Sequence, residues 1–333
     1  MDSLSQLLLG AAVGYAVGSK KLGKKSLLLG AAAGTLPDLD VIPLSLFNDD
    51  FIMLKHHRGF SHSILFCLIA SPILAKLTQL KFKTVELKCL NWLYFWTFFT
   101  HSLLDCFTTW GTQLFWPFSY RVAFNSIFII DPFYTIWLLL AVIYCCIKNV
   151  SKTSIRIMYS GLIISSLYLC IGLGIKWKIN YEFTQYFNYH NIKPLKFMTR
   201  PSPFNIILWS ATAETPTGYY MAFRSLFDND YTEKPKFSSK SNILVTDYND
   251  SKTNYIKSVT KHFFIMSAHK EGILIHDLRF GSFNLLSEEF PAYIFSYKLS
   301  KDDSGNTQMS NQNPNFKRSS HVFSLLYKRI FNL

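Results

Sequence analysis

Long apolar runs dominate the first half of the chain, and their lengths predict membrane-spanning helices. Three runs, Leu90 to Thr109, Ile127 to Ile147 and Ile155 to Ile175, have the roughly 20 residues that a helix needs to cross a bilayer. Phe60 to Leu77 is a fourth predicted span. Residues 4 to 18 and 26 to 36 are apolar but shorter, so they form either two thin spans or a tilted hairpin that does not fully cross.

The pattern changes after residue 177 to mixed polar and aromatic sequence. Short alternating runs there predict strands, at Asn242 to Asp247, Tyr255 to Ser267, Ile273 to Phe280 and Tyr293 to Leu299. Ser300 to Ser320 has almost no apolar residue and is predicted to be disordered. The predicted fold is mainly α: a polytopic helical membrane domain over residues 1–176, a small β-rich or α+β domain over 177–299, and a polar tail with a short amphipathic end over 300–333.

Composition and charge support a membrane protein and give it an orientation. The 333 residues are 49% hydrophobic, and 34 Lys and Arg against 21 Asp and Glu give a net charge of +13. This excess suits either nucleic acid or basic loops between membrane spans. If all six runs cross, one side of the membrane carries Lys20, Lys21, Lys24, Lys25, Lys76, Lys81, Lys83, Lys88, Lys148, Lys152 and Arg156, and the intervening loops carry Lys55, Arg58 and Arg121. By the positive-inside rule the side with eleven charges is cytoplasmic, so the candidate site and the C-terminal domain are predicted to be extracytoplasmic. Topology explains most of the basic excess, so membrane lipids are the expected partners and nucleic acid is not.

Ionisable residues interrupt the apolar runs, where an unpaired charge would cost several kcal/mol. His101 and Asp105 are four residues apart on one helix face, Asp38 and Asp40 share a Pro-containing turn, and His57 and His62 flank Gly59. Imidazole and carboxylate ligands suit Zn, Mn or Fe better than Ca or Cu(I). The sequence therefore predicts one or two divalent ions, zinc as first choice and manganese as second, held by Asp38, Asp40, His57, His62, His101 and Asp105.

Each of these signals also has a structural interpretation. A single His on an apolar helix is usually a core residue, an Asp pair in a turn is usually a cap, and His101 with Asp105 could be a hydrogen-bonded pair between helices. His56 is a second choice for His57. Arg58 is either an interfacial anchor or the cation that holds a phosphate or carboxylate beside the metal. Trp110, Trp116, Phe118 and Tyr120 are typical of an aromatic belt.

The same stretches resemble the YdjM-type family of inner-membrane proteins, which are regarded as metal-dependent hydrolases. The resemblance covers about residues 1 to 175 and rests on three motifs in order: Gly34 to Asp40, His57 to Ser63 and His101 to Asp105. Ser61 stands where the family usually has Thr. A distant similarity to zinc-dependent phospholipase C and P1 nuclease implies phosphoester hydrolysis at a multi-zinc site, and the family implies the bacterial inner membrane.

These observations lead to the hypothesis of a membrane-embedded, metal-dependent hydrolase of a lipid or lipid-linked phosphoester. Arg58 would steady the anionic group, and Asp131 or an Asp of the pair would act as general base. Two alternatives stay open: a non-catalytic scaffold with a structural metal, and a divalent-cation transporter, which the Arg58-Gly59 insertion between the His residues disfavours.

Overall fold

The computed structural model describes residues 1–240, 248, 250–282, 293–312 and 319–331. Its chain divides into two compact units. The first comprises Met1–Asn48, Met53–Gly174 and Pro203–Asn205, and the second comprises Asp49–Ile52, Ile175–Ser202 and Ile206–Leu333. The predicted combination of a helical N-terminal part and a β-rich C-terminal part is confirmed.

Helices build the first unit, as the apolar runs predict. In chain order the described helices of both units are α1 (Ser3–Leu22), α2 (Lys25–Thr35), α3 (Val41–Ser45), α4 (Asp50–His56), α5 (Ile64–Lys81), α6 (Leu87–Cys106), α7 (Pro132–Ile147), α8 (Lys152–Tyr189), α9 (Ser251–Val259) and α10 (Ser319–Phe331). Of these, α9 and α10 belong to the second unit. Two 3-10 turns, Leu36–Asp40 and Phe60–His62, precede α3 and α5.

Glycines allow α1 and α2 to pack with their backbones in contact. Gly10 and Gly14 on α1 face Gly30 and Gly34 on α2, and a Cβ atom added at Gly30 would lie 2.8 Å from the Cα atom of Gly14. No side chain larger than hydrogen fits there. The small-residue spacing of four therefore holds the two helices together as it does in membrane proteins, and this contact fixes the position of the turn that follows α2.

Three of the described helical segments are long and apolar enough to cross a membrane: Lys25–Ser45, Ile64–Lys81 and Lys152–Tyr189. Helix α7 is apolar but shorter. The first of these segments is longer than the 26 to 36 run because the Leu36–Asp40 turn continues it into α3. The six-span topology and the predicted sidedness of the C-terminal domain stay predictions.

The second unit contains two antiparallel four-stranded sheets, with strand orders β1-β2-β3-β4 and β5-β6-β7-β8. The first sheet is formed by β1 (Lys196–Pro201), β2 (Leu208–Glu214), β3 (Gly218–Ser225) and β4 (Lys236–Ser239). The second is formed by β5 (Phe264–His269), β6 (Gly272–Asp277), β7 (Ser296–Lys301) and β8 (Thr307–Gln312). Nearly all of β2 is buried, so its side chains contribute to the core on both faces.

Two buried polar side chains in or next to the second sheet, Arg279 and His276, are paired. Arg279 donates from Nη2 to Oδ2 of Asp277 at 2.7 Å, and both residues are buried. His276 lies between the hydroxyl groups of Ser267 and Ser296, 2.7 Å from each. Burial lowers the pKa of His276 to about 4, so this imidazole is neutral at pH 7. Both side chains therefore have hydrogen-bond partners inside the domain.

Three strand or tail predictions differ from the structure or fall outside it. The predicted run Tyr255 to Ser267 begins as α9, because Asp250 caps that helix by accepting from the amide of Thr253 at 2.8 Å, and becomes a strand only at Phe264. The predicted disorder from Ser300 is wrong as far as Gln312, where β7 and β8 form a hairpin that buries Leu299 and Met309. The predicted run Asn242 to Asp247 lies outside the described residues.

Candidate metal centre

Two short turns and one helix bring four ligand-type side chains together in the first unit. Asp38 comes from the Leu36–Asp40 turn, His62 ends the Phe60–His62 turn, and His101 and Asp105 lie one helical turn apart on α6. One donor atom from each residue lies within 4.8 Å of the other three. His62, His101 and Asp105 are buried, and the side chain of Asp38 is 23% exposed. The group therefore has one accessible edge, at Asp38.

The distances within this group match those between ligands of one metal ion. Nε2 of His62 lies 3.2 Å from Nε2 of His101, 3.2 Å from Oδ1 of Asp38 and 3.4 Å from Oδ2 of Asp105. Nε2 of His101 lies 3.6 Å from Asp38 and 3.9 Å from Asp105. Two donors of a tetrahedral zinc site with bonds of about 2.0–2.1 Å are about 3.3 Å apart. The residues present therefore fit a single divalent ion with little movement.

Hydrogen bonds behind the two imidazoles leave both Nε2 atoms without a proton when the rings are neutral. The carbonyl of Gly34 can only accept, so His101 donates to it from Nδ1 at 2.7 Å. The Ser61 hydroxyl donates to Oδ2 of Asp40 at 2.6 Å and therefore accepts from Nδ1 of His62 at 2.9 Å. Such partners orient His ligands in metal sites. In the neutral rings both Nε2 atoms therefore keep the lone pair that binds a metal ion.

Asp105 supplies a second indication that a cation belongs here. Its Oδ1 atom accepts from Nε2 of Gln6 at 3.0 Å and contacts the amino nitrogen of Met1. Its Oδ2 atom is buried, faces both imidazoles and makes no hydrogen bond within the part of the chain that the structure describes. A buried carboxylate oxygen that makes no hydrogen bond is costly, even with the guanidinium of Arg58 3.3 Å away. A metal ion in the group would satisfy this oxygen.

Arg58 places a buried guanidinium beside the four residues. Its Nε atom is 3.3 Å from Oδ2 of Asp105, and its Nη1 atom donates to the hydroxyl of Thr108 at 3.3 Å. The backbone of Arg58 has φ +58°, a left-handed conformation that residues other than glycine rarely adopt. Surrounding structure has to hold such a conformation, and strained residues of this kind cluster at functional sites.

Sequence comparisons assign the region that carries this site. A family model described as YdjM inner membrane protein matches residues 1–179. The chain belongs to this family. It is 33% identical over 144 residues to the uncharacterized protein YfhP of Bacillus subtilis (strain 168), which covers 40% of this chain and 42% of YfhP. It is 31% identical over 110 residues to the inner membrane protein YbcI of Escherichia coli (strain K12), which covers 32% of this chain and 62% of YbcI.

The chain therefore spans less than two thirds of the length of either relative. No solved structure matches it. The YdjM match contains all four residues of the group and ends within α8. The match confirms the family resemblance that the three sequence motifs indicate, and it places the protein in a family of inner-membrane proteins.

Asp40 and His57, two further predicted ligands, lie next to the group and bind each other. Nδ1 of His57 is 2.8 Å from Oδ1 of Asp40, while Oδ2 of Asp40 accepts from Ser61 and from the backbone amide of Arg58. In this arrangement Asp40 supports His62 through Ser61. The structure does not bring Asp40 or His57 within the four-residue group.

Asp131, the predicted general base, lies outside the four-residue group. Its carboxylate caps α7 by accepting from the amide of Phe133 at 3.0 Å, and the hydroxyl of Tyr168 donates to it at 2.9 Å. The Asp131-Pro132 pair, with proline at the first helical position, is a sequence signal for this cap. Gln6, which donates to Asp105, was not predicted as part of the site. Its polar side chain inside an apolar helix is the sequence signal that would have indicated it.

Replacing Ser61 with Ala is expected to weaken metal binding about 10- to 100-fold, as loss of such supporting contacts does in other metal sites. The change removes the hydroxyl that joins His62 to Asp40, so Nδ1 no longer fixes the ring. Competition titration with a chromophoric chelator measures the affinity. Ser63→Ala is the matched control, because Ser63 caps α5 by accepting from the amide of Phe66. The control should lower stability by about 1 kcal/mol and leave affinity unchanged; equal affinity loss in both variants would contradict this role for Ser61.

Proposed function

We propose that this protein is a membrane-embedded, metal-dependent hydrolase of a phosphoester carried by a lipid or lipid-linked headgroup. One observation supports this most directly: two imidazoles face each other through Nε2 at 3.2 Å between two carboxylates, with the guanidinium of Arg58 alongside. Histidine and carboxylate ligands suit zinc first and manganese second. A cation next to a metal group suits an anionic substrate such as a phosphoester.

The residues divide into those that hold the ion and those that handle substrate and protons. Asp38, His62, His101 and Asp105 would hold it. A divalent ion bound there supplies a Lewis acid that polarises a phosphoryl oxygen and activates water. Arg58 would bind an anionic oxygen of the substrate. Because Nδ1 of His57 is directed at Asp40, its Nε2 atom is left as a proton acceptor beside the group. Asp131 has no part in this proposal.

A direct test is hydrolysis by the purified full chain in nanodiscs, with phosphatidate and phosphatidylglycerol as substrates and zinc or manganese added. Wild type should release inorganic phosphate from the first or a phosphorylated headgroup from the second. The double variant His101→Ala, Asp105→Ala should be inactive. Activity that is unchanged in the double variant would exclude this group as the hydrolytic site.

The second candidate is a scaffold with a structural metal. The observation in its favour is that four protein donors are available for one ion, whereas catalytic zinc sites usually have three protein ligands and one open position. In this case chelation would lower the thermal stability of the protein, and neither substrate would be hydrolysed. The exposed edge at Asp38 and the buried Arg58 favour the hydrolase, because a purely structural ion needs neither.

A further inference from the structure

A loop between α6 and α7 is attached at its base to the segment that carries Arg58 and His62. Residues 112 and 122 of this loop pair as an antiparallel bridge, with amide-to-carbonyl distances of 3.1 and 2.9 Å. The amide of Gln113 donates to the carbonyl of Arg58 at 3.0 Å, and the carbonyl of Leu114 accepts from the amide of Ile64 at 3.0 Å. Backbone hydrogen bonds on both sides of His62 therefore fix the loop relative to the metal centre.

The tip of this loop exposes an uncharged, aromatic surface. Between Gln113 and Tyr120 the sequence Gln-Leu-Phe-Trp-Pro-Phe-Ser-Tyr contains no ionisable acid or base of Asp, Glu, Lys, Arg or His type. Phe115, Phe118 and Tyr120 are 55%, 72% and 70% exposed. The next residue, Arg121, is buried and donates to the carbonyls of Leu54 and His57. The aromatic tip thus projects from a base that is held by polar contacts.

Further apolar side chains are exposed around the accessible edge of the metal centre. Leu39 lies between Asp38 and Asp40 in the chain and is exposed, as is Ile42 one turn later. On the loop side, the ring of Phe60 packs edge-on against the ring of Trp116 with 5.2 Å between centroids. We call Leu39, Ile42, Phe60, Trp116 and Phe118 the apolar rim.

We propose that the apolar rim lies in the interface of the lipid bilayer and admits the substrate from the plane of the membrane. The substrate class is an amphiphile whose anionic phosphoester reaches Arg58 and the metal centre while its acyl chains stay in the bilayer against the rim. This inference rests on the proposed function for the identity of the reacting group. The position of the rim in the membrane does not depend on it.

Two observations favour lipid over a protein partner as the occupant of the rim. Asp38 lies inside the candidate span Lys25–Ser45, and His62 lies two residues before the candidate span Ile64–Lys81. Asp38 precedes the end of its candidate span at Ser45 by seven residues, and His62 lies just outside the other span. The proposal therefore places the metal centre near the headgroups. Trp and Tyr side chains concentrate at this depth because their rings are apolar and also carry a polar group. Apolar side chains such as Phe and Leu insert into the same region.

Spin labels measure the depth of the rim directly. We would label Phe118→Cys in the full chain, with the native cysteines replaced by Ser, in phosphatidylcholine and phosphatidylglycerol vesicles. The control label is Lys83→Cys, in the exposed turn between α5 and α6. The label at 118 should collide more with oxygen and less with an aqueous nickel chelate than the label at 83. Equal collision with the nickel chelate at both positions would overturn the proposal. So would a label at 118 that is shielded from the chelate only when a protein partner is bound and not by lipid.

The catalytic consequence is tested with a matched pair of variants. Phe118→Ser should lower hydrolysis of bilayer phosphatidate about tenfold, as expected for about 1.4 kcal/mol of lost interaction, and leave a water-soluble short-chain phosphoester unaffected. Leu80→Ser removes an equally exposed apolar side chain, 72% in both cases, at the other end of α5 and should change neither rate. Equal loss on both substrates would contradict the rim's role. If wild type hydrolyses neither substrate, the proposed function fails while the depth measurement still decides the position of the rim.

Discussion

Replacing Asp105 with Ala is expected to destabilise the protein by about 3–5 kcal/mol and to abolish metal binding. The carboxylate is fully buried and lies 3.3 Å from the guanidinium of Arg58, which stays buried when Asp105 is removed. Breaking a buried ion pair by removing one partner has a cost of this size because the other charge is left uncompensated. Gln6 also loses one of its two acceptors and keeps the carbonyl of His101. Thermal unfolding in detergent and elemental analysis measure the two effects.

Asp131→Ala is the control, because it removes another buried carboxylate from the same unit. Asp131 accepts from Tyr168 and caps α7, with neutral donors in both contacts. Loss of a helix cap costs about 0.5–2 kcal/mol, and the metal content should be that of wild type. Asp105→Asn separates charge from shape: it should lose metal while keeping the contact with Gln6. An Asp105→Ala protein that binds metal normally would contradict the assignment of Asp105 as a ligand.

Gly30→Ala is expected to lower the stability of the protein by about 1–3 kcal/mol, the cost of overpacking. The added Cβ atom would lie 2.8 Å from the Cα atom of Gly14, where only backbone could move aside. Helix α2 also carries Gly34, whose carbonyl orients His101, so metal affinity should fall together with stability. Thermal unfolding and chelator competition report the two quantities on the same preparation.

Gly174→Ala is the matched control, since no described atom would lie within 4 Å of its added Cβ atom on α8. Alanine in place of an unconstrained helical glycine stabilises by up to about 1 kcal/mol. The two identical substitutions should therefore change stability in opposite directions. Equal effects at positions 30 and 174 would show that α1 and α2 do not depend on their glycine contact.

The sequence was informative about the metal centre because ionisable residues inside apolar runs are conspicuous. Asp38, His62, His101 and Asp105 stood out for this reason, and the structure brings all four together. The sequence could not distinguish these four residues from Asp40 and His57, because the direction of each side chain depends on tertiary contacts such as the one through Ser61. The ligand roles themselves stay predictions.

Asp131 was given a catalytic role on a sequence signal that has a second explanation. A carboxylate next to an apolar run was interpreted as a general base, although Asp followed by Pro is also typical of the start of a helix. The contact with the amide of Phe133 belongs to that helix start. The contact with Tyr168 could not be predicted from the sequence, because Tyr168 is 37 residues away.

The β-rich class of the C-terminal domain was predicted from the sequence, but the strands of its first sheet were not. Strands β1 to β4 carry aromatic and polar residues without regular alternation, and β2 is buried on both faces, so the period of two was absent. Most of β7 falls in the predicted strand Tyr293 to Leu299, but the turn and β8 were mistaken for disorder because their sequence is polar. This turn depends on Asp302, which accepts from the amides of Ser304 and Asn306, and on Gly305 with φ +79°.

Elemental analysis of the purified full chain tests the central claim most directly. We would compare wild type with His62→Ala, His101→Ala and, as control, His56→Ala, whose exposed side chain lies outside the four-residue group. The expected result is a near-stoichiometric divalent metal, zinc or manganese, in wild type and in the control, and its loss from the other two variants. If wild type holds no metal even after reconstitution and all variants are equally stable, the four residues form a hydrogen-bonded packing network and the hydrolase proposal is wrong.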